Sequence, residues 1–140
     1  MFGSDFVLCK ATRISDQRKG EPDLIITFPS GEKMTVQVTA KDDPKKFIDS
    51  KKAGDVISQS ARFHPDGFIC LGRPDFQELA REQAQHHALD KNFKLLPVYV
   101  LAELFVQVRE GKIDKNDATN FLLNARGYLT IAELNKMRKS

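Results

Sequence analysis

The stretch that decides the fold runs from Pro22 to Lys41 and reads PDLIITFPSGEKMTVQVTAK. An apolar strand follows the opening Pro-Asp, the residues Pro29-Ser30-Gly31-Glu32 are typical of a turn, and a second strand follows them. Because strand side chains point alternately to the two faces, Gln37, Thr39 and Lys41 share one face. The sequence therefore predicts a β-hairpin carrying a metal site, on which a carboxylate, a side-chain carbonyl and an ammonium converge.

The motif in this hairpin resembles a known nuclease pattern. Pro22-Asp23, followed by a strand that ends in a polar residue, a spacer and a lysine, resembles the PD-(D/E)xK nuclease superfamily. With Gln37 it is most similar to the Mrr-type restriction endonuclease branch, whose motif is an aspartate and then Gln-x-Lys. This chain has Thr39 at the position of that lysine, and the nearest lysine is Lys41. The resemblance covers about residues 6 to 105 and implies an α/β, restriction endonuclease-like fold with a central mixed β-sheet flanked by helices.

The resemblance also implies a function, that of a metal-dependent DNA endonuclease using Mg²⁺ or Mn²⁺. Phosphodiester hydrolysis needs a hard divalent cation, which prefers oxygen ligands. In this chain Asp23, Gln37 and the main-chain carbonyl of Val38 would supply them, and Lys41 would orient the attacking water. Asp16 is either a second metal ligand or a loop carboxylate in solvent. A homodimer or larger complex is expected, because one such site cuts one strand of a duplex.

Other interpretations of the same residues stay open. Pro22-Asp23 is also ordinary turn chemistry, and Gln37, Thr39 and Lys41 also suit the solvated side of a half-exposed strand. With Thr39 in the lysine position, the alternative function is a catalytically degenerate nuclease-fold module acting in DNA binding or protein assembly. A third hypothesis, a protein-binding module built on the C-terminal helices, predicts no salt-dependent affinity for DNA.

Basic residues flank the hairpin and suggest DNA as a partner. Such side chains neutralise backbone phosphates, with an affinity that falls as salt rises. Interleaved aspartates make a solvated helix face an equally good interpretation. No aromatic platform accompanies the basic residues, so stacking of single-stranded bases is not predicted. The candidate DNA-binding residues are Arg18, Lys19, Lys45, Lys46, Lys51 and Lys52.

The composition is that of a folded, soluble protein with a small excess of positive charge. The chain has 140 residues, of which 41% are hydrophobic and 29% charged, enough for one domain with a core. A net charge of +3 leans weakly towards polyanions. Neither a signal peptide nor a membrane-spanning run is expected, which predicts a cytoplasmic protein with no membrane partner. Cys9 and Cys70 are isolated and expected as buried thiols, and no phosphate-binding glycine loop or serine elbow supports nucleotide hydrolysis or acyl transfer.

The remaining elements follow from apolar periodicity and capping residues. Strands are expected over 6–12, 68–71 and 93–97. Helices are expected from a cap at Asp42 or Asp43 to about Ser60, from Asp75 to about Asn92, and over 98–110, 114–124 and 130–139. We assign residues 1–105 to an endonuclease-like α/β core and 106–140 to a C-terminal helical extension packed on the same domain.

Overall fold

The predicted hairpin forms the antiparallel part of a mixed β-sheet. The computed structural model describes residues 8–14, 19, 21–43 and 45–138. Within them six strands form one sheet whose spatial order is the chain order. The first three pair antiparallel and the last three join in parallel. The strands are β1 (Lys10–Arg13), β2 (Leu24–Thr27), β3 (Lys33–Ala40), β4 (Gly67–Arg73), β5 (Phe93–Pro97) and β6 (Gly127–Tyr128).

Five helices complete the described chain, and several begin or end at residues suited to that position. The Asp49 side chain accepts a hydrogen bond from the Lys52 N–H and so caps the first helix. Thr130 and Glu133 form a capping box on the last helix. Gly111, with φ at +75°, follows the third helix in the left-handed conformation that glycine favours. The helices are α1 (Ser50–Gln59), α2 (Glu78–His87), α3 (Val98–Arg109), α4 (Lys115–Asn124) and α5 (Ile131–Asn135), with a 3₁₀ turn at Ala61–Phe63.

Both faces of the sheet carry a hydrophobic layer. On one face Met34, Val36 and Leu96 of the strands pack with residues of α3, α4 and α5. On the other face Cys70 and Leu95 pack with residues of α1 and α2. Parallel strands need this cover on both sides, because their connections return over the sheet faces. The predicted fold class, a mixed sheet flanked by helices, is confirmed.

Two helix starts were predicted too early. The Asp43 side chain accepts the Lys45 N–H at 2.9 Å, so it closes a turn rather than capping a helix. The chain then stays extended, with Ile48 bridging to Phe76, and α1 begins only at Ser50. In the same way Asp75 accepts the Phe76 N–H, but α2 begins at Glu78.

Other boundaries also differ from prediction. Helix α2 ends at His87 rather than near Asn92, α5 ends at Asn135, and β6 was not predicted. The first strand is observed as β1, and residues 6 and 7 of the predicted strand lie outside the described residues. The boundary proposed at residue 105 falls within α3, and side chains beyond it, such as Leu122 and Leu134, share a core with the sheet. That division stays a prediction.

Two glycines provide a matched test of the packing on the α1–α2 face. A Cβ at Gly72 would lie 2.5 Å from side-chain atoms of Ile48 and Phe76, both fully buried. We therefore expect Gly72→Ala to lower the free energy of unfolding by about 1–3 kcal/mol. At Gly54, within α1, the nearest atom would be 3.9 Å from an added Cβ. Gly54→Ala should therefore raise the free energy of unfolding by about 0.5–1 kcal/mol. Urea denaturation of the three proteins measures both effects, and equal stabilities would contradict the packing described.

Candidate functional site

The candidate site lies where β2 and β3 part. Strand β2 pairs with β3 only as far as Leu24 opposite Val36, whereas β3 continues to Ala40. Asp23 stands just before β2 and donates its N–H to the Val36 carbonyl at 3.0 Å. Its side chain thereby reaches the part of β3 that extends beyond β2.

The Asp23 carboxylate holds two groups of β3. Its Oδ2 accepts the Val38 N–H at 2.9 Å and the Gln37 Nε2 at 3.4 Å. The N–H and C=O of one strand residue point to the same edge, so the Val38 carbonyl faces this opening as well. The structure thus brings together the three residues predicted as ligands, Asp23, Gln37 and Val38. Their role in binding a metal stays a prediction.

The side-chain oxygen of Gln37, Oε1, is a further feature of the site. This oxygen is buried and makes no hydrogen bond within the described part of the chain. An unsatisfied buried acceptor is unfavourable. A half-turn of the amide would bring Oε1 beside the Asp23 carboxylate, where a cation would satisfy it.

The donor set fits Mg²⁺ or Mn²⁺ in type but carries little charge. A carboxylate, an amide oxygen and a main-chain carbonyl are the hard oxygens that these ions accept. Asp23 is the one carboxylate among the three, because the amide of Gln37 is neutral. No group of three or more His, Cys, Asp or Glu in the described residues is placed to hold a metal. A cation placed here would therefore be held weakly by the protein groups alone.

Thr39, which stands where the resembled nuclease motif has its lysine, is turned into the core. It is 6% exposed and hydrogen-bonds the Cys70 side chain. Burial raises the pKa of the Cys70 thiol to about 12, against the opposing effect of that hydrogen bond. The thiol therefore stays protonated at neutral pH and is a poor nucleophile. A neutral hydroxyl and a neutral thiol thus occupy this position.

Lys41 is separated from the Asp23–Gln37 pair. It stands four residues beyond Gln37, roughly 13 Å along the strand direction. Its N–H donates to the Arg73 carbonyl at 2.9 Å, just beyond the end of β3. Its side chain would have to extend back along β3, past Thr39, to meet the carboxylate.

An ion pair beside the site was missed by sequence reasoning. Arg62, in the 3₁₀ turn after α1, donates from Nε and Nη2 to the two carboxylate oxygens of Glu21. Glu21 is 9% exposed and lies two residues before Asp23. The spacing of Glu21 and Asp23 was visible in the sequence, but Arg62 is 41 residues from Glu21, and no local pattern links them.

The predicted DNA-binding residues fall into two places. Lys19 is exposed in the loop between β1 and β2, near Asp23 in sequence. Arg18 and Asp16 lie outside the described residues. The others follow β3, exposed in the loop before α1 and in the first turn of that helix: Lys45, Lys46, Lys51 and Lys52. No helix in the described ranges is both long and apolar enough to cross a bilayer.

Comparison with known proteins supports the fold. The sequence matches no protein family model and no curated protein. Among solved structures, the DNA modification-dependent restriction endonuclease AspBHI is similar, with a TM-score of 0.54 and 10% sequence identity. The similarity covers 84% of this chain and 30% of that one, so this chain spans less than a third of its length. At this identity the likeness shows a restriction endonuclease-like fold alone, and the Mrr-type branch stays a prediction.

Proposed function

We propose that this chain is a metal-dependent DNA endonuclease domain. The observation that carries the proposal is the meeting of the Asp23 carboxylate, the Gln37 amide and the Val38 main chain where β2 and β3 part. The fold that positions them is shared with a restriction endonuclease. DNA is the proposed substrate, and a homodimer or larger complex would allow both strands to be cut.

Each residue has a proposed part in the reaction. Asp23, Gln37 and the Val38 carbonyl would hold Mg²⁺ or Mn²⁺, which supplies phosphoryl polarisation and a lower pKa for the attacking water. The Val38 N–H donates to Asp23 Oδ2 and so fixes the orientation of that carboxylate. Lys41 was predicted to orient the water; from its position beyond the end of β3 it would instead compensate phosphate charge of the bound DNA.

The proposed function is tested by cleavage of DNA. Wild type, Asp23→Ala and the control Asp90→Ala, an exposed carboxylate in the loop after α2, are incubated with supercoiled and branched DNA. Nicking and linearisation are followed in Mg²⁺, in Mn²⁺ and in EDTA. We expect metal-dependent cleavage by wild type and Asp90→Ala, and a rate at least about 100-fold lower for Asp23→Ala. Cleavage by Asp23→Ala at the wild-type rate would remove Asp23 from the mechanism.

A catalytically degenerate module is the second candidate. The observation that favours it is Thr39, which is buried and bonded to Cys70 where the motif has its lysine. This candidate predicts that wild-type protein binds DNA but cleaves none of the substrates with either metal. The same experiment, with a binding measurement added, separates the two.

A further inference from the structure

A second surface lies at the carboxyl ends of β3, β4 and β5, away from the Asp23–Gln37 pair. Here the loop after β3 is bound to the segment after β4. Lys41 N–H donates to the Arg73 carbonyl, and Ile48 N–H donates to the Asp75 carbonyl, both at 2.9 Å. We call the surface formed by residues 41–43, 45–49, Arg73 and Tyr99 the carboxyl-edge surface. Its backbone is held by hydrogen bonds, so its side chains are presented on a fixed frame.

Two aromatic rings are exposed on the carboxyl-edge surface, although the sequence had predicted no aromatic platform beside the basic residues. Phe47 is 39% exposed and Tyr99 is 46% exposed, whereas Phe28, Phe76 and Phe93 are almost completely buried. The Tyr99 hydroxyl donates to Asp75 Oδ2 at 3.3 Å, which tethers the ring beside the strand ends. Phe47 precedes the fully buried Ile48 in an extended segment, so alternation directs its ring outward.

The loop that carries Phe47 has an excess of positive charge. From residue 41 to 52, five lysines are interleaved with three aspartates, and Arg73 adds a further exposed cation. Two of those aspartates already accept backbone N–H groups, Asp43 from Lys45 and Asp49 from Lys52. The aspartates keep their charge, so five lysines and Arg73 against three aspartates leave a net charge of +3, which favours an anionic ligand.

We propose that the carboxyl-edge surface binds a single-stranded nucleic-acid segment. Bases stack on Tyr99 and Phe47, while Lys45, Lys46 and Arg73 contact the phosphates. Exposed aromatic faces beside a basic loop suit unpaired bases, whereas a duplex offers mainly its phosphate backbone to such a loop. Binding of the single strand does not depend on the proposed function. The link from binding to cleavage does rest on the proposed function, and it adds a substrate class for the nuclease: DNA with a single-stranded part.

The test is equilibrium binding without metal. Anisotropy of a fluorescein-labelled 20-nucleotide oligothymidine and of a 20-base-pair duplex is measured in EDTA at low salt. We expect Tyr99→Ala and Phe47→Ala each to weaken binding of the single strand roughly ten-fold and binding of the duplex by less than about two-fold. Tyr99→Phe, which keeps the ring and loses the hydroxyl, should stay within about three-fold of wild type.

Control measurements distinguish a loss of base stacking from unfolding of the variant and from an absence of nuclease activity. Leu89→Ala removes a side chain that is 80% exposed in the loop after α2 and should leave both affinities unchanged. Thermal unfolding checks that each variant is folded. Wild-type affinity for the single strand in both alanine variants, or no binding of the single strand by wild type, would overturn the proposal. The binding assay contains no metal, so its result does not depend on cleavage. If wild type binds the single strand but cleaves no DNA in the assay with metal, this inference is supported and the proposed function is contradicted.

Discussion

Replacing Lys94 with methionine is expected to raise the free energy of unfolding by about 3–4 kcal/mol at pH 6. Lys94 lies in β5, fully buried, and its ammonium has Asn92 Oδ1 as a hydrogen-bond acceptor at 2.9 Å. Burial, with a smaller effect from the Arg126 guanidinium, lowers the pKa of Lys94 to about 7. Methionine fills a similar volume and carries no charge, so the desolvation cost disappears while the packing stays.

The stabilisation produced by Lys94→Met should decrease as the pH rises. Between pH 7 and 10.5 the unfolded chain keeps a proton on Lys94 that the folded protein has lost, so wild-type stability rises with pH there. Below pH 7 the cost of the buried charge is present in full. We therefore expect the advantage of Lys94→Met to fall to about 1 kcal/mol by pH 9. The raised pKa of Cys70 acts above pH 9, and equally in both proteins.

Urea denaturation from pH 6 to 9 measures this difference. Lys10→Met, at an exposed position of β1, is the matched control and should change the stability by less than about 0.5 kcal/mol at every pH. An advantage of Lys94→Met that does not shrink between pH 7 and 9 would contradict the titration assigned to Lys94.

The elements that were predicted well have strong local signals. The β2–β3 hairpin has turn residues between two apolar strands, and β5 and α3 were predicted within a residue or two because of their apolar runs. The predicted start of α1 was wrong because Asp43 and Asp49 are equally good N-terminal caps when judged from the sequence alone. Tertiary pairing of Ile48 with Phe76 is what keeps the intervening chain extended.

The site was only partly accessible from the sequence. Period-two alternation was sufficient to bring Gln37 to Asp23, because both lie on one hairpin. It also grouped Lys41 with them, but sharing a face does not fix distance along the strand. The Glu21–Arg62 pair and the burial of Lys94 depend on elements far apart in the chain, which periodicity does not register.

Gln37→Glu is expected to make the protein strongly responsive to metal. In wild type the Gln37 Nε2 donates to Asp23 Oδ2, so the amide stabilises the single carboxylate. In the variant two carboxylates face each other, and we expect the free energy of unfolding in EDTA at pH 7 to fall by about 1–3 kcal/mol. A divalent cation between them removes the repulsion and gains a second anionic ligand.

Differential scanning fluorimetry with and without Mn²⁺ or Mg²⁺ measures the response. A concentration of metal about 100 times the Kd stabilises a protein by about 2.7 kcal/mol, which would offset the loss seen in EDTA. Wild type, with one carboxylate, should respond much less at the same concentration. The readout needs no DNA cleavage, so it tests the geometry of the site even if wild type is catalytically inactive.

Two variants establish that the response comes from the pair of carboxylates. Gln37→Met removes the same amide without adding charge and should show no gain in metal response. Adding Asp23→Asn to Gln37→Glu returns the site to one carboxylate and should abolish most of the gain. If the double variant responds to metal as Gln37→Glu does, the ion binds elsewhere, and the opening between β2 and β3 is not the metal site. If the response depends on both residues, the hairpin holds a cation site in which the amide of Gln37, rather than the fold, limits affinity.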